Sequence, residues 1–320
     1  GNSALSLVSD VKASVEDLDA SRAHVDATTL GVFVLVAGQK INVLTAKTSY
    51  QDKAVTFDAT ATEGQRSITA NGALRSFPEQ QELQLEHLSV TAASSTWATP
   101  EGSPSRILYK GSTVTVDGLT LRNGEQTLDA KGTFGAADDS LVVTAQGIDV
   151  AFIDAILLRP PQFSGRLDGN ATIRTNDGSG KTPDVHSRFA ITNGGFRQFK
   201  YQSLAGSIDY STAGLIVDTK LQQNADAWLT AKGTVPMALL TGEAGSSQPV
   251  NLLIDSSPID LGIVQGVTTT LTDVAGVLEA HVAVTGTAAS PRPDGTISVR
   301  DGKFSIPATG VSYTGLQGQG

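Results

Sequence analysis

The stretch of this sequence that most resembles a reactive site is Gly178-Ser179-Gly180-Lys181-Thr182, which ends like a phosphate-binding loop. Such a loop needs a glycine where Thr175 stands, and a following helix whose amide groups meet the phosphates. Pro183 and a strand-like run follow instead, so the segment reads as a polar hairpin loop. The four histidines, His24, His87, His186 and His281, are far apart and none has a metal-ligand spacing, while the absence of cysteine removes thiolate sites. His281 falls on the polar side of a strand pattern, where a solvated ring is expected. Carboxylates are numerous but unpaired by pattern: Asp138-Asp139 reads as a turn and Glu79 to Glu86 as a solvated strand edge. No Gly-x-Ser-x-Gly elbow occurs, and Asn170-Ala171-Thr172, formally a glycosylation acceptor, lies in a strand pattern. Trp97 and Trp228 read as core or rim residues. No residue is assigned to catalysis, no cofactor is expected, and the chain is read as a non-enzyme.

The elements that would position such groups follow from composition. Apolar residues make up 39% and charged residues 17% of the 320 positions, and the mean hydropathy is -0.04, as in a folded, water-soluble chain. Ala, Thr, Val, Ser, Gly and Leu dominate, with Gly at 33 positions, which favours short strands and tight turns over helices. A net charge of -9 without clustered Lys and Arg argues against nucleic acid as a partner. The lack of cysteine suits an oxidising compartment. The longest apolar run, Gly31 to Gly38, is too short to span a bilayer as a helix, and no charged-then-apolar leader precedes it.

Alternation of apolar and polar residues recurs along the chain. From Arg166 to Arg174, Leu167, Gly169, Ala171 and Ile173 point one way, and Arg166, Asp168, Asn170, Thr172 and Arg174 the other. The same holds for Val55, Phe57 and Ala59, for Val114 and Val116, for Leu141, Val143 and Ala145, and for Ile297 with Val299. Asn-Gly or Asp-Gly pairs begin at Asn71, Asp117, Asn123, Asp177, Asn193, Asp294 and Asp301, and are expected to form hairpin turns between antiparallel strands. Two segments break the pattern. Asp149 is placed to cap a short helix with Phe152, Ile153, Ile156 and Leu157 on one face and Pro160-Pro161 as its stop, and Asp260 to Leu271 is its counterpart.

Self-similarity is more informative than any single element. Ile148-Asp149-Val150, then Gly165 and Leu167, return as Ile259-Asp260-Leu261, then Gly276 and Leu278, at one offset. Asn193-Gly194-Gly195-Phe196 corresponds to Asp301-Gly302-Lys303-Phe304, and Tyr201, Leu204 and Gly206 to Tyr313, Leu316 and Gly318. Ala130-Lys131-Gly132-Thr133 and Ala231-Lys232-Gly233-Thr234 precede the two helix-like segments. The copies define a unit over 128-240 and a second, truncated one over 241-320, after a first segment over 1-127.

The second copy carries Gly276-Val277-Leu278, Val284-Thr285-Gly286-Thr287, Pro291, Gly295-Thr296-Ile297, Asp301-Gly302-Lys303-Phe304, then Tyr313, Leu316 and Gly318. This resembles the TamB and AsmA-like family, whose signature is a Gly-x-Leu strand, a Gly-Thr before a Pro-bearing loop, an Asp-Gly-x-Phe strand end and a Tyr-x-x-Leu-x-Gly strand. The first copy matches at Gly165, Leu167, Phe196, Tyr201, Leu204 and Gly206, and departs at Thr175-Asn176, where a longer polar loop replaces the Gly-Thr. The resemblance covers Leu128 to Gly320, and residues 1-127 share the texture of short strands. It implies an all-β fold: an elongated, curled repeat sheet, or β-taco, with one or two short helices. It further implies a periplasmic part of an inner-membrane-anchored protein in a double-membraned bacterium, reaching toward an Omp85-type, TamA-like outer-membrane barrel. The cargo implied is phospholipid, with membrane contact made by segments outside this piece of chain.

The physics of the strands leads to a similar place. A sheet with one aliphatic side must cover it, and a long sheet can do so by curling over on itself. Aromatics make up only 5% of residues, so small and medium aliphatics line the inward positions and a lumen is expected. Leu167, Ala171, Ile173, Leu278, Val282, Val284, Ile297 and Val299 are expected to line a lipid groove for acyl chains. A structural or adhesive β-repeat rod with a sealed core is the alternative, and a right-handed β-helix acting on polysaccharide fits least, because the repeat is about 110 residues long.

Overall fold

The computed structural model describes residues 3-16, 23-36, 39-160, 162-175, 183-212, 214-241, 247-266, 268 and 270-320. The all-β expectation holds: the described residues form strands throughout, interrupted by two short α-helices and one 3-10 helix. The loop Gly178 to Thr182 and the pair Asp177-Gly178 lie outside the described residues. The chain folds as two compact units. One comprises Gly1–Ala145 with Ala155–Arg159 and Arg174–Gly180, the other Gln146–Asp154 with Pro160–Ile173 and Lys181–Gly320.

The first unit starts with β1 (Ser3–Val15), β2 (Ala23–Val36), β3 (Gln39–Gln51), β4 (Ala54–Glu63), β5 (Arg66–Ser76) and β6 (Gln81–Ala92), each antiparallel to the next. β6 then pairs with both β7 (Ser95–Ala98) and β8 (Ser105–Lys110), and β8 hands on to β9 (Thr113–Asn123) and β10 (Gln126–Phe134). β11 (Ser140–Asp149) leaves this unit after Ala145 and leads into α1 (Ala151–Ile156). Register decides what each face carries, because directly opposed residues project to the same side. Leu44, Ala61, Ile68 and Val90 face one way in successive strands, while Thr45, Thr60 and Thr69 face the other. Trp97, paired with Val90, is 3% exposed on the apolar side.

In the second unit β12 (Phe163–Arg174), β13 (Asp184–Phe196), β14 (Phe199–Ser211), β15 (Gly214–Gln222) and β16 (Trp228–Pro236) lead to α2 (Met237–Thr241). After α2 come β17 (Asn251–Ser256), β18 (Ile259–Asp260), a 3-10 helix (Leu261–Gly266), β19 (Thr272–Thr287), β20 (Ser290–Ile306) and β21 (Val311–Gln319). Each neighbouring pair from β13 to β17 is antiparallel, β17 and β18 both pair with β19, and β19 to β21 complete the ladder.

The two expected helical segments are both present and share one local device. Asp149 accepts from the amide of Ala151 at 3.0 Å through Oδ1, and Asp260 from that of Gly262 at 2.7 Å. Each satisfies an amide left open at a helix start. The flanking apolar residues are buried in both copies: Ile148 and Val150 in one, Ile259 and Leu261 in the other. The second segment is a 3-10 turn rather than an α-helix, and α2 was not anticipated. Pro236 immediately before α2 is the signal that could have located it.

The Asx-Gly pairs are corrected by the structure. Asn123-Gly124 does form a turn, between β9 and β10. Asn71-Gly72, Asp117-Gly118, Asn193-Gly194, Asp294-Gly295 and Asp301-Gly302 lie inside strands instead. The register shifts between Asn71 and Gly72 and on both sides of Gly302. The tolerance of positive φ is used inside strands, at Asn193 (φ 49) and Asp301 (φ 51), and at Asp301 it goes with a bulge rather than a reversal.

Gly295 shows the cost of that bending. Its φ is 134, and an added Cβ would lie 2.0 Å from the carbonyl oxygen of His281 in β19. Gly295→Val is therefore expected to destabilise the chain by about 1–3 kcal/mol, the scale of a forced backbone conformation. Chemical denaturation monitored by circular dichroism reads this directly, and an unchanged midpoint would show that the strand is not held in this bend.

Candidate functional site

All eight residues expected to line a groove project from one face of the second unit. Phe189, Gly206, Thr219, Ala231, Ile254, Val282 and Gly295 are opposed in succession across seven strands, β13 to β17, β19 and β20. Two residues along the strands lies a parallel row, Ser187, Ile208, Val217, Gly233, Leu252, Val284 and Pro293. Leu278 faces Val299, and Ala280 faces Ile297, on the same side. In β12, Gly169 lies against Phe189, since a Cβ on it would be 3.1 Å from the Phe189 Cα. Its period-two neighbours Leu167, Ala171 and Ile173 share that face.

Their surroundings differ. Leu167, Ala171, Ile173, Val284 and Val299 are half-buried, Val282 is buried, and Ile297 is 47% exposed. Leu278 is a packing residue: with Tyr201, Leu204, Leu229 and Ile263 it closes around a buried cluster of Phe199, Leu221, Ala227 and Ile259. Burial raises the pKa of the Tyr201 phenol above its ordinary value. The Tyr201 ring lies over Gly194, where a Cβ would come within 2.1 Å of it. Val299 instead helps to line a cavity of about 320 Å³ with Leu261, Val264, Leu271, Val274 and Phe304, beside the 3-10 helix.

This part of the sheet curls over its apolar face. Gln198, in the turn between β13 and β14, donates through Nε2 to Asp273 Oδ1 at the start of β19, at 3.4 Å. Laid flat, the four steps from β14 to β19 would span about 19 Å. Ile263 of the 3-10 helix packs against the same cluster as Phe199 and Leu278, so it fills the space beneath the curl.

The opposite face carries cross-strand ion pairs, with Ile216 and Leu253 exposed among them. Lys232 Nζ lies 2.8 Å from Asp218 Oδ2, and His186 Nδ1 lies 3.2 Å from Asp209 Oδ1. His281 bonds Asp255 through Nδ1, with Glu279 3.7 Å from its Nε2. The hydrogen bond to Asp255 is the main cause that lifts the His281 pKa above its ordinary 6.5, followed by the smaller charge and hydrogen-bond effects of Asp255 and Glu279. As expected for its place on the strand, His281 is solvated.

The described strands and their one-sided rows define an all-β protein of repeated sheet, polar on one face and aliphatic on the other. The sequence model described as TamB, N-terminal domain, matches residues 10–299, and the chain belongs to that family. The match includes most of the first unit, where the motif resemblance alone was faint. Neither curated proteins nor solved structures gave a match. Membership implies a periplasmic segment of an envelope protein with a part in outer-membrane assembly or lipid transport, in a family associated with the outer-membrane partner TamA. Among the described residues no helix is long and apolar enough to cross a membrane.

The charge pair on the polar face gives a pH test. The raised pKa means that the His281 contribution to stability is fully present below the unfolded value near 6.5 and is lost as pH rises through the folded value. Asp255→Asn is expected to bring the His281 titration, followed by NMR, back toward 6.5. A titration that does not move would show that Asp255 does not hold the imidazolium.

Proposed function

We propose that this chain carries phospholipid between the two membranes of the envelope by sheltering acyl chains against the apolar face while headgroups stay in water along its edge. It acts without catalysis, as one segment of a longer protein anchored in the inner membrane, and delivers to a TamA-like barrel of the Omp85 type. The observation that carries this reading is the run of opposed small and aliphatic residues across seven strands, with charged pairs confined to the other face. Rows built of Gly206, Ala231, Gly233 and Gly295 have little bulk of their own, and a methylene moved from water to such a surface contributes about 0.8 kcal/mol. The packed cluster around Ile259 favours the sealed-rod reading for that one end of the face.

Ile173→Asp and Val284→Asp each place an unpaired carboxylate on the face, at a cost that hydrocarbon contact cannot offset. Each is expected to cut lipid transfer by about tenfold or more, equivalent to about 1.4 kcal/mol, while circular dichroism shows the fold intact. Photo-crosslinking of lipid beyond the substituted position reads the transfer. Unchanged crosslinking in a folded variant would overturn the proposal, as would a purified wild-type chain that carries no phospholipid by native mass spectrometry.

A further inference from the structure

A second apolar feature lies wholly in the first unit and was not expected from sequence. Where β4 ends and β3 and β5 begin, Ile41, Ala61, Ile68, Val90 and Ile156 line a cavity of about 180 Å³. Ala61, Ile68 and Val90 are directly opposed in register, so the floor is the apolar face itself. Ile156, from the end of α1, forms the roof. Arg66 holds that roof in place: its guanidinium donates to the Ile156 carbonyl oxygen and to the carboxylate of Glu63. The floor is not filled by the protein's own side chains, since Ile68 is 48% exposed.

The polar lining sits where the strands end. Lys40, Arg66 and Glu63 stand there together, two cations against one carboxylate. Glu63 is engaged by Arg66, and among the described residues no carboxylate pairs with Lys40, which is exposed. The side chain of Arg66 is 24% exposed, so its charge is only partly screened by water.

We infer that this cavity is a subsite for an anionic amphiphile, with the negative headgroup at Lys40 and the first part of a hydrocarbon chain against Ala61, Ile68 and Val90. The size fits that division. Its volume exceeds the roughly 150 Å³ of an apolar protein cavity that takes up benzene, and so holds part of an acyl chain but not a whole lipid. The remainder of the chain continues along the open apolar face. Charge complementarity selects the headgroup: an anionic phosphodiester or a fatty carboxylate is attracted, and a zwitterion gains no net attraction. Arg66 is a positioning residue that keeps Ile156 over the floor. The inference rests on the lipid-carrying reading and adds to it a preferred charge and a place.

The test uses a photo-reactive residue at Gln39, beside the cavity, and a second at Ile297, exposed on the apolar face of the other unit, as a general reporter. The chain is exposed separately to vesicles of phosphatidylglycerol, vesicles of phosphatidylcholine, and free palmitate. Lys40→Glu is expected to reduce the Gln39 crosslink to phosphatidylglycerol or to palmitate by about fivefold, the scale of one screened surface charge contact. The loss should shrink in high salt, and the phosphatidylcholine crosslink and the Ile297 signal should not change. Which of the two anions responds identifies the source. Ala61→Phe, which fills the floor, is expected to lower the Gln39 crosslink for every probe. Crosslinks at Gln39 that are unaltered by both substitutions would overturn the subsite while leaving lipid carriage intact. A chain that crosslinks lipid at neither position would overturn both.

Discussion

A one-residue slip in any strand pairing would move every aliphatic side chain of that strand from the dry face to the wet one. Register is therefore the constraint on which the rest of this protein depends. The ladder from Phe189 to Gly295 keeps its face through six consecutive pairings, and its neighbours Lys232, Asp255 and His281 are held on the other face by the same bonds. The polar pairs add to this discrimination. Moving Lys232 or Asp255 to the apolar side would separate each from its partner and desolvate it, so charges too weak to stabilise much at the surface still disfavour the wrong register.

Curvature is the second requirement, because a flat sheet would leave its oily face open to water on a wide front. The bulges at Asn71, Asp301 and their relatives supply it, and so do strand glycines such as Gly233 and Gly295, whose backbones approach a neighbouring carbonyl too closely for any Cβ. Such residues weaken a strand taken alone. They are tolerated because the bend they permit lets Gln198 reach Asp273 and lets Ile263 bury itself against Phe199 and Leu278.

Local alternation made much of this legible. The faces of Arg166 to Arg174 and of Ile297 with Val299 follow from period two alone, and the paired Ile-Asp-apolar motifs located both short helical segments because the cap and its buried flanks are local. What local pattern cannot carry is which strand lies opposite. Asn-Gly and Asp-Gly report that positive φ is affordable, and only the partner strand decides whether the chain then reverses, as at Asn123, or bulges and continues, as at Asp301. The same limit explains Leu278. Its alternation is that of Val282, yet Ile259 stands opposite it and the cluster of Phe199 closes round it. The cavity under Ile156 left no trace in the sequence, because Arg66 and Ile156 meet across ninety positions.

The distribution of bulk along the apolar face now has a physical reading. Aromatic side chains gather near the strand ends and turns: Phe163 with Phe196, Phe199 with Tyr201, and Phe304 with Tyr313, their rings 5.1, 6.1 and 5.1 Å apart. Across mid-strand from β14 to β17 the opposed residues are Gly, Ala, Val, Ile and Thr with Leu252, and Phe189 of β13 is an exception that is set against Gly206. A face meant only to pack on itself gains most from large side chains in its middle, where burial is deepest, since each buries far more area than alanine. Placing the bulk at the margins and the small residues in between forgoes that gain. It keeps the curled ends shut and leaves the centre of the face thinly filled, as the proposed sheltering of acyl chains requires.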